Sequence, residues 1–340
     1  MSKLTIGDIA RLADVSTATV SRALHSPHLL RPETLRRVLD TIDEHKYIYN
    51  ALAGDLSKQK SSVLGIYVPT VESAKLSETV FALQETVQAH GYPVIVNNTN
   101  FNAELEKTQL RQARERSLSG LFLIGYMREN LPYIDEIIRG GIPCFFLWDT
   151  LPGTDYNYVG FDNQSAAYNM ASHLLGLGHQ LVAFVGAMQS QIDRVRKRLN
   201  GYLSALEQRG APVRPELIRE APPTLENGYR VMESFLNMKP GSRPTAVFFA
   251  SDMLALGAMA ACRQRGLQVP EEISIAGFDN IEFAIYGQPA LTTVYVPSRE
   301  IGQLAGRFLM EAIQRGEPGP HQRCLETSLL IRESCAPPRR

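Results

Sequence analysis

The stretch Thr5-Ile6-Gly7-Asp8-Ile9-Ala10-Arg11-Leu12-Ala13-Asp14-Val15-Ser16-Thr17-Ala18-Thr19-Val20-Ser21-Arg22 sets two helical patterns around one turn. Thr5 and Asp8 stand at the T-x-x-D spacing in which hydroxyl and carboxylate cap a first helical turn. Ile6, Ile9, Ala10 and Ala13 recur at helical spacing and define an inner face. Asp14-Val15 supplies a short turn, and Ser16 is a natural N-cap for a second helix. On that helix Val20, Ala23 and Leu24 fall inward, while Thr17, Ala18, Ser21, Arg22 and His25 share the opposite face. Small polar groups and one arginine on such a face can approach base edges closely, so the pair reads as a helix-turn-helix. A third helix is expected from Pro32, with Leu35, Val38, Leu39 and Ile42 inward; Arg31 stands where a capping side chain is expected.

Further along, the pattern changes near residue 60. Apolar runs appear at 63–68, 93–96, 120–124, 142–147, 181–186, 246–249 and 273–278, separated by helical stretches such as Ser77–His90 and Ser165–Leu177. Continuous apolar strands are buried on both faces, as in parallel sheets, and the alternation with helices implies βαβ units. About ten strands would overload one sheet, so two α/β lobes are expected. The chain has 340 residues, 44% apolar and 21% charged, the composition of a globular protein. Lys plus Arg (35) balances Asp plus Glu (35), so any attraction to nucleic acid must be local. The four cysteines are scattered and form no CxxC pair, the start does not read as a signal peptide, and no apolar run approaches a membrane span. Cytoplasmic location, no cofactor, no metal and no membrane partner are the expectations.

The quoted run resembles the start of the lactose-repressor family of bacterial transcription regulators. The resemblance continues through Tyr47 and Asn50-Ala51-Leu52-Ala53, which fits that family's hinge helix. It extends into Val159-Gly160-Phe161-Asp162-Asn163, Leu177-Gly178-His179, Ser251–Gly257, Ile275–Asn280 and Leu291-Thr292-Thr293-Val294. The fold implied is an all-α helix-turn-helix head plus an α/β core like the periplasmic binding proteins, made of two doubly wound lobes. The implied division is a head at 1–49, a hinge at 50–60 and an effector-binding and dimerisation domain at 61–340. Within it, lobe 1 takes about 61–160 and 291–323, and lobe 2 about 161–290 and 324–335.

The resemblance implies site residues in both parts of the chain. Thr17, Ala18 and Arg22 would read bases, with Thr5, Ser16, Ser21 and His25 near phosphates. Asn50, Ala53 and Leu56 would act in the minor groove, Leu56 as the wedge at a central base step. Tyr49 replaces a frequent proline and Gly54 weakens the hinge helix, so this segment is expected to order only on DNA. Residues 1–60 carry nine Lys/Arg against seven Asp/Glu, too little charge for a single head to bind well. Two-fold pairing on a near-palindromic operator is therefore expected, as a homodimer. Only nine residues follow Ile331, two of them proline, which leaves no heptad tail for a tetramer.

For the effector, the resemblance implies Trp148, Phe161, Asp162, Arg198, Ser251 and Asp279 in a cleft between the lobes. Asp279 follows an apolar strand, where open α/β sheets place ligand groups, and the planar fork of Arg198 suits a carboxylate or paired hydroxyls. Asp162 and Asp252 fit equally as helix caps, Trp148 equally as core, and the Arg194, Arg196, Lys197, Arg198 cluster also fits a solvated face. The expectation is a repressor whose operator affinity is set by a sugar or sugar acid; Trp148-Asp149 and Glu282-Phe283-Ala284 resemble the gluconate-type members. No G-x-S-x-G, P-loop, G-x-G-x-x-G or H-E-x-x-H occurs, which argues against an enzyme. The alternative is a free solute-binding protein, opposed by the head and by the absence of a leader.

Overall fold

Thr5 caps the first helix, α1 (Ile6–Leu12), reciprocally: Asp8 N–H donates to Thr5 Oγ1 at 3.3 Å, and Thr5 N–H donates to Asp8 Oδ2 at 2.8 Å. The computed structural model describes residues 4–25, 27–48, 61–187, 193–316 and 319–339, excluding the side chain of His25. The chain divides into two compact units, Met1–Ser61 and Ser62–Arg340. In the first, the turn after α1 passes through Asp14 in the left-handed region (φ 52°), which Asp tolerates better than most residues. Val15 N–H returns to Ala10 O at 2.9 Å. Ser16 Oγ then accepts from Thr19 N–H at 3.1 Å and opens α2 (Thr17–His25). A short 3₁₀ turn (Pro27–Leu29) leads to α3 (Pro32–Glu44), whose N-cap, Arg31, makes no side-chain capping bond. Ile9, Ala10, Ala13, Val20, Ala23 and Val38 form the core, with Leu24, Leu35 and Ile42 packed on it. Leu39 differs from expectation, being 41% exposed. It lies one residue, about 100° of helix, past Val38, and so turns off the buried stripe.

The second unit alternates strand and helix. In order it runs β1 (Leu64–Val68), α4 (Ala74–Gln88), β2 (Val94–Asn98), α5 (Ala103–Glu115), β3 (Gly120–Ile124), α6 (Leu131–Arg139), β4 (Cys144–Leu147) and β5 (Asn157–Gly160). There follow α7 (Asn163–Gly176), β6 (Val182–Gly186), α8 (Asp193–Gln208), β7 (Ile218–Glu220), α9 (Leu225–Leu236), β8 (Ala246–Phe249), α10 (Asp252–Gln264), β9 (Ser274–Ala276) and α11 (Phe283–Tyr286). The chain ends with β10 (Thr293–Tyr295), α12 (Ser298–Arg315), β11 (Gln322–Cys324) and β12 (Ser328–Leu330).

Two parallel sheets result. The first has the order β11-β5-β4-β3-β1-β2, with Leu64 opposite Val94 on one side and Gly120 on the other; the second has the order β7-β6-β8-β9. Every residue of β1, β3, β4, β6 and β8 is buried, as the apolar runs require when helices cover both faces. The chain passes between the sheets at three places: after β5, through β10, and through β12, which pairs antiparallel with β10. After its second passage it forms α12, which packs on α4 of the first lobe. There Thr79 Oγ1 donates to Ser298 O at 2.9 Å, and a Cβ on Gly302 would stand 2.3 Å from Thr79 O, so only glycine permits the approach. The last strand returns the chain to the second sheet. Buried His179 lies 2.9 Å from both Thr245 Oγ1 and Ala336 O, and 3.1 Å from Ser274 Oγ, which ties the tail down. No described helix is long and apolar enough to cross a membrane.

Candidate functional site

In the head unit, Thr5, Ser16, Thr17, Ala18 and Arg22 are exposed and Ser21 is half-buried. Thr17, Ala18, Ser21 and Arg22 share one face of α2 because Val20 and Ala23 commit the other to the core. Two of the hydroxyls are already engaged: Thr5 in its capping box, Ser16 with Thr19. The Asp8 carboxyl is held below its usual range by the hydroxyl and amide of Thr5. Among the described residues Arg22 makes no ion pair. Asn50, Ala53 and Leu56, and the side chain of His25, lie outside the described residues.

In the second unit a cavity of about 230 Å³ opens between the two lobes. Ser73, Phe101 and Trp148 reach it from the first lobe; Arg194, Arg198, Ser251 and Asp279 reach it from the second. Arg198 is 4% exposed. Its Nε donates to Asn163 Oδ1 at 2.9 Å, its Nη1 donates to Ala250 O at 2.8 Å, and its guanidinium carbon lies 3.6 Å from the centre of the Phe278 ring. Nη1 also stands 3.8 Å from Asp279 Oδ1, an ion contact longer than a hydrogen bond. Asp279 has φ 111°, a left-handed conformation held where its N–H donates to Val294 O at 3.0 Å. Burial pushes its carboxyl up to about 6, outweighing the attraction of Arg198 and then Arg194. At neutral pH it remains mainly ionised.

The other expected cleft residues are placed differently. Trp148 lines the cavity, yet its Nε1 is used on Thr79 Oγ1 at 3.0 Å, so the indole contributes a face rather than a donor. Ser251 lines the cavity and caps α10, accepting from Met253 N–H at 3.3 Å. Phe161 is fully buried behind the cavity wall, 6.0 Å from the Trp148 ring and 6.2 Å from that of Phe278. Asp162 caps α7 instead of facing the cavity: Oδ1 accepts from Gln164 N–H at 2.9 Å and Ser165 N–H at 3.0 Å. Partial burial raises its carboxyl, but the Ser165 hydroxyl and these amides hold it below the usual range overall.

Two residues not singled out from sequence matter here. Asn163 bridges the lobes: its Nδ2 donates to Trp148 O at 2.9 Å while its Oδ1 receives Arg198. Arg194 sits one helical turn before Arg198 on α8 and is 8% exposed. Burial, and then repulsion from Arg198, pull its guanidinium down to about 10. The i, i+4 spacing was the available signal, since it puts both guanidinium groups on one helix face. Of the same cluster, exposed Arg196 pairs with half-buried Asp193 at 2.5 Å, and Lys197 donates to Asp149 Oδ1 at 2.7 Å.

Comparison with known proteins agrees with both units. Residues 5–50 match the model "Bacterial regulatory proteins, lacI family", and residues 171–335 match "Periplasmic binding protein-like domain". The HTH-type transcriptional repressor CytR of Escherichia coli (strain K12) is 32% identical over 332 residues, 97% of this chain and 96% of CytR. The crystal structure of the lac repressor dimer bound to operator and the anti-inducer ONPF is 28% identical with a TM-score of 0.84, covering 98% of this chain and 100% of that one. A LacI family transcriptional regulator from Enterococcus faecium with bound ribose is 26% identical with a TM-score of 0.70, covering 81% and 99%.

Proposed function

Since this chain belongs to the lacI family of bacterial regulatory proteins, we propose that its α2 face reads operator DNA and that its inter-lobe cavity takes the effector controlling that binding. The protein is a sequence-specific, DNA-binding transcriptional repressor that responds to a small sugar-like molecule. Relatives are solved with operator DNA and with ribose, and none of these similar proteins is named as an enzyme. In this reading Thr17, Ala18 and Arg22 contact base edges, with Thr5, Ser16, Ser21 and His25 at phosphates and Asn50, Ala53 and Leu56 in the minor groove. The head spans 1–49 and the hinge 50–60; the remainder senses the effector and dimerises. Acting on chromosomal DNA, the protein works in the cytoplasm, and catalysis has no part in it.

The observation that carries the effector assignment is the pairing of Arg198 with Asp279. Two oppositely charged side chains face one cavity from the second lobe, only 3.8 Å apart and not saturated by each other. A fork of N–H donors beside a carboxylate that accepts hydroxyls suits a polyol with an acid or polar end. Ser251 and the Trp148 face complete the cavity lining in this reading. A ligand that prefers one lobe arrangement changes the spacing of the two hinges in a dimer and hence operator affinity. Fluorescence anisotropy on a near-palindromic duplex of roughly 14–20 base pairs, titrated with sugars and sugar acids, tests the reading. Loss of operator affinity with one class of ligand is expected; an operator affinity indifferent to the whole series overturns it.

A further inference from the structure

We infer that Arg194 selects the charge of the effector, taking the carboxylate of a singly charged sugar acid and rejecting the matching neutral sugar. The inference rests on the cavity reading above and narrows its ligand class. Arg194 lines the cavity with more than nine-tenths of its surface buried, and its Nη1 is enclosed without a hydrogen-bond partner among the described residues. An enclosed, unpaired guanidinium N–H is costly, because the desolvation of a charged donor has nothing to offset it. Its neighbours have partners: Arg198 is anchored through Nε and Nη1, Arg196 through Asp193, and Lys197 through Asp149 and Thr150. Arg194 as a residue lines the cavity, so an anionic ligand there would offset the buried charge that the protein leaves uncompensated.

Charge decides which ligand oxygen fits. Among the described residues, the charged ones lining the cavity are Arg194, Arg198, Asp279 and Glu72, and Glu72 is solvent-exposed. The buried wall thus carries two guanidinium groups against one carboxylate, a surplus of one positive charge. A monoanion neutralises the surplus. A neutral polyol leaves the Arg194 charge buried and unpaired, and a site with a buried polar group rejects the analogue that cannot pair it. A carboxylate reaching Arg194 would leave the hydroxyl-bearing end of the same molecule toward Asp279.

The test uses full-length protein, calorimetry and pairs of ligands with a common carbon skeleton: D-gluconate with D-glucitol, D-galactonate with D-galactitol, and D-ribonate with D-ribitol. Glucose 6-phosphate represents a phosphate anion. In the wild type, at least one acid is expected to bind about tenfold or more tightly than its neutral partner. Arg194→Met and the milder Arg194→Gln should remove that preference while retaining binding of the neutral form. Without any ligand, Arg194→Met should melt about 2–4 °C higher, since an unpaired buried charge gives way to a fitting apolar chain. A structural arginine would give a lower melting temperature, which overturns the proposal. A neutral partner bound as tightly as its acid, an unchanged ratio in both variants, or a preference for the phosphate also overturns it. In those cases the cavity reading survives if Asp279→Ala abolishes the binding seen. If no acid and no neutral partner binds, both readings fall.

Discussion

Asp252 and Thr293 share a buried hydrogen bond of 2.5 Å between carboxylate Oδ1 and hydroxyl Oγ1, joining the first residue of α10 to the strand through which the chain leaves the second lobe. Asp252 Oδ2 accepts from Ile281 N–H at 2.8 Å, and a Cβ on Gly277 would stand 2.1 Å from Oδ1. The carboxyl is thus packed in with two hydrogen-bond partners and, among the described residues, no ion pair, Arg332 supplying only a weaker attraction. Burial, and then the nearby Asp279, push it up to about 8.

A folded-state value above the unfolded one means that the folded protein holds a proton which the unfolded chain releases. The stability from Asp252 is therefore complete below about pH 4, the unfolded value, and declines as pH rises toward 8. Denaturant unfolding of wild-type protein should lose roughly 1–2 kcal/mol between pH 6 and pH 8. Asp252→Asn should flatten this slope, because an amide mimics the protonated acid and Thr293 can accept from it. Parallel slopes for the two proteins would remove Asp252 from the account.

Arg22 projects from the exposed face of α2 with no ion pair among the described residues. Arg22→Ala should relax discrimination at one base pair of each half-site by about 1–3 kcal/mol. Competition binding with single-position operator variants measures this. An equal loss on every sequence would mean that Arg22 contacts phosphate only.

Asp279 accepts no protein hydrogen bond at its carboxylate among the described residues, leaving both oxygens for ligand hydroxyls. Asp279→Ala should collapse the ratio of operator affinities with and without effector from the wild-type value toward one, a loss of about 1–3 kcal/mol of coupling. Anisotropy with a ligand effective on wild type gives the ratio, and an intact ratio would mean that Asp279 does not bind effector.

Gly302 lets α12 lie against the backbone of α4. Gly302→Ala places a methyl group 2.3 Å from Thr79 O, so the two helices must separate. Chemical denaturation should report a destabilisation of about 2 kcal/mol or more, consistent with overpacking of a close contact. An unchanged midpoint would show that the helices part freely.

The elements legible in the sequence are those whose local chemistry has one solution. The capping residues Thr5 and Ser16 and the continuous apolar runs of β1, β3 and β8 are of this kind. By contrast, β11 consists of Gln322, Arg323 and Cys324, all exposed at a sheet edge, and carries no apolar pattern to reveal it. β7 and β10 are three residues each and are set by their sheet neighbours. At the site, Arg198 and Asp279 converge although they are far apart in the chain. Phe161 and Asp162 belong to the motif residues expected at the same cleft but diverge in space, because adjacent residues at a strand–helix junction point opposite ways. One enters the aromatic stack, the other caps α7. Arg194 is not separable in the sequence from its cluster, which reads as polar surface until the helix phase is assigned.

The three passages of the chain between the sheets bear on how such a protein can be recombined. No single cut frees a lobe as a linear cassette, because the first lobe is built from residues on both sides of the second. Grafting one lobe onto a relative's partner lobe needs three junctions placed together, near residues 161, 291 and 326. A one-junction chimera would mix α12 and β11 from one parent with α4 and β5 from the other, and the mismatch would fall on the Gly302–Thr79 contact. New effector specificities in this architecture are thus more accessible by substitution within the cleft than by exchange of whole lobes.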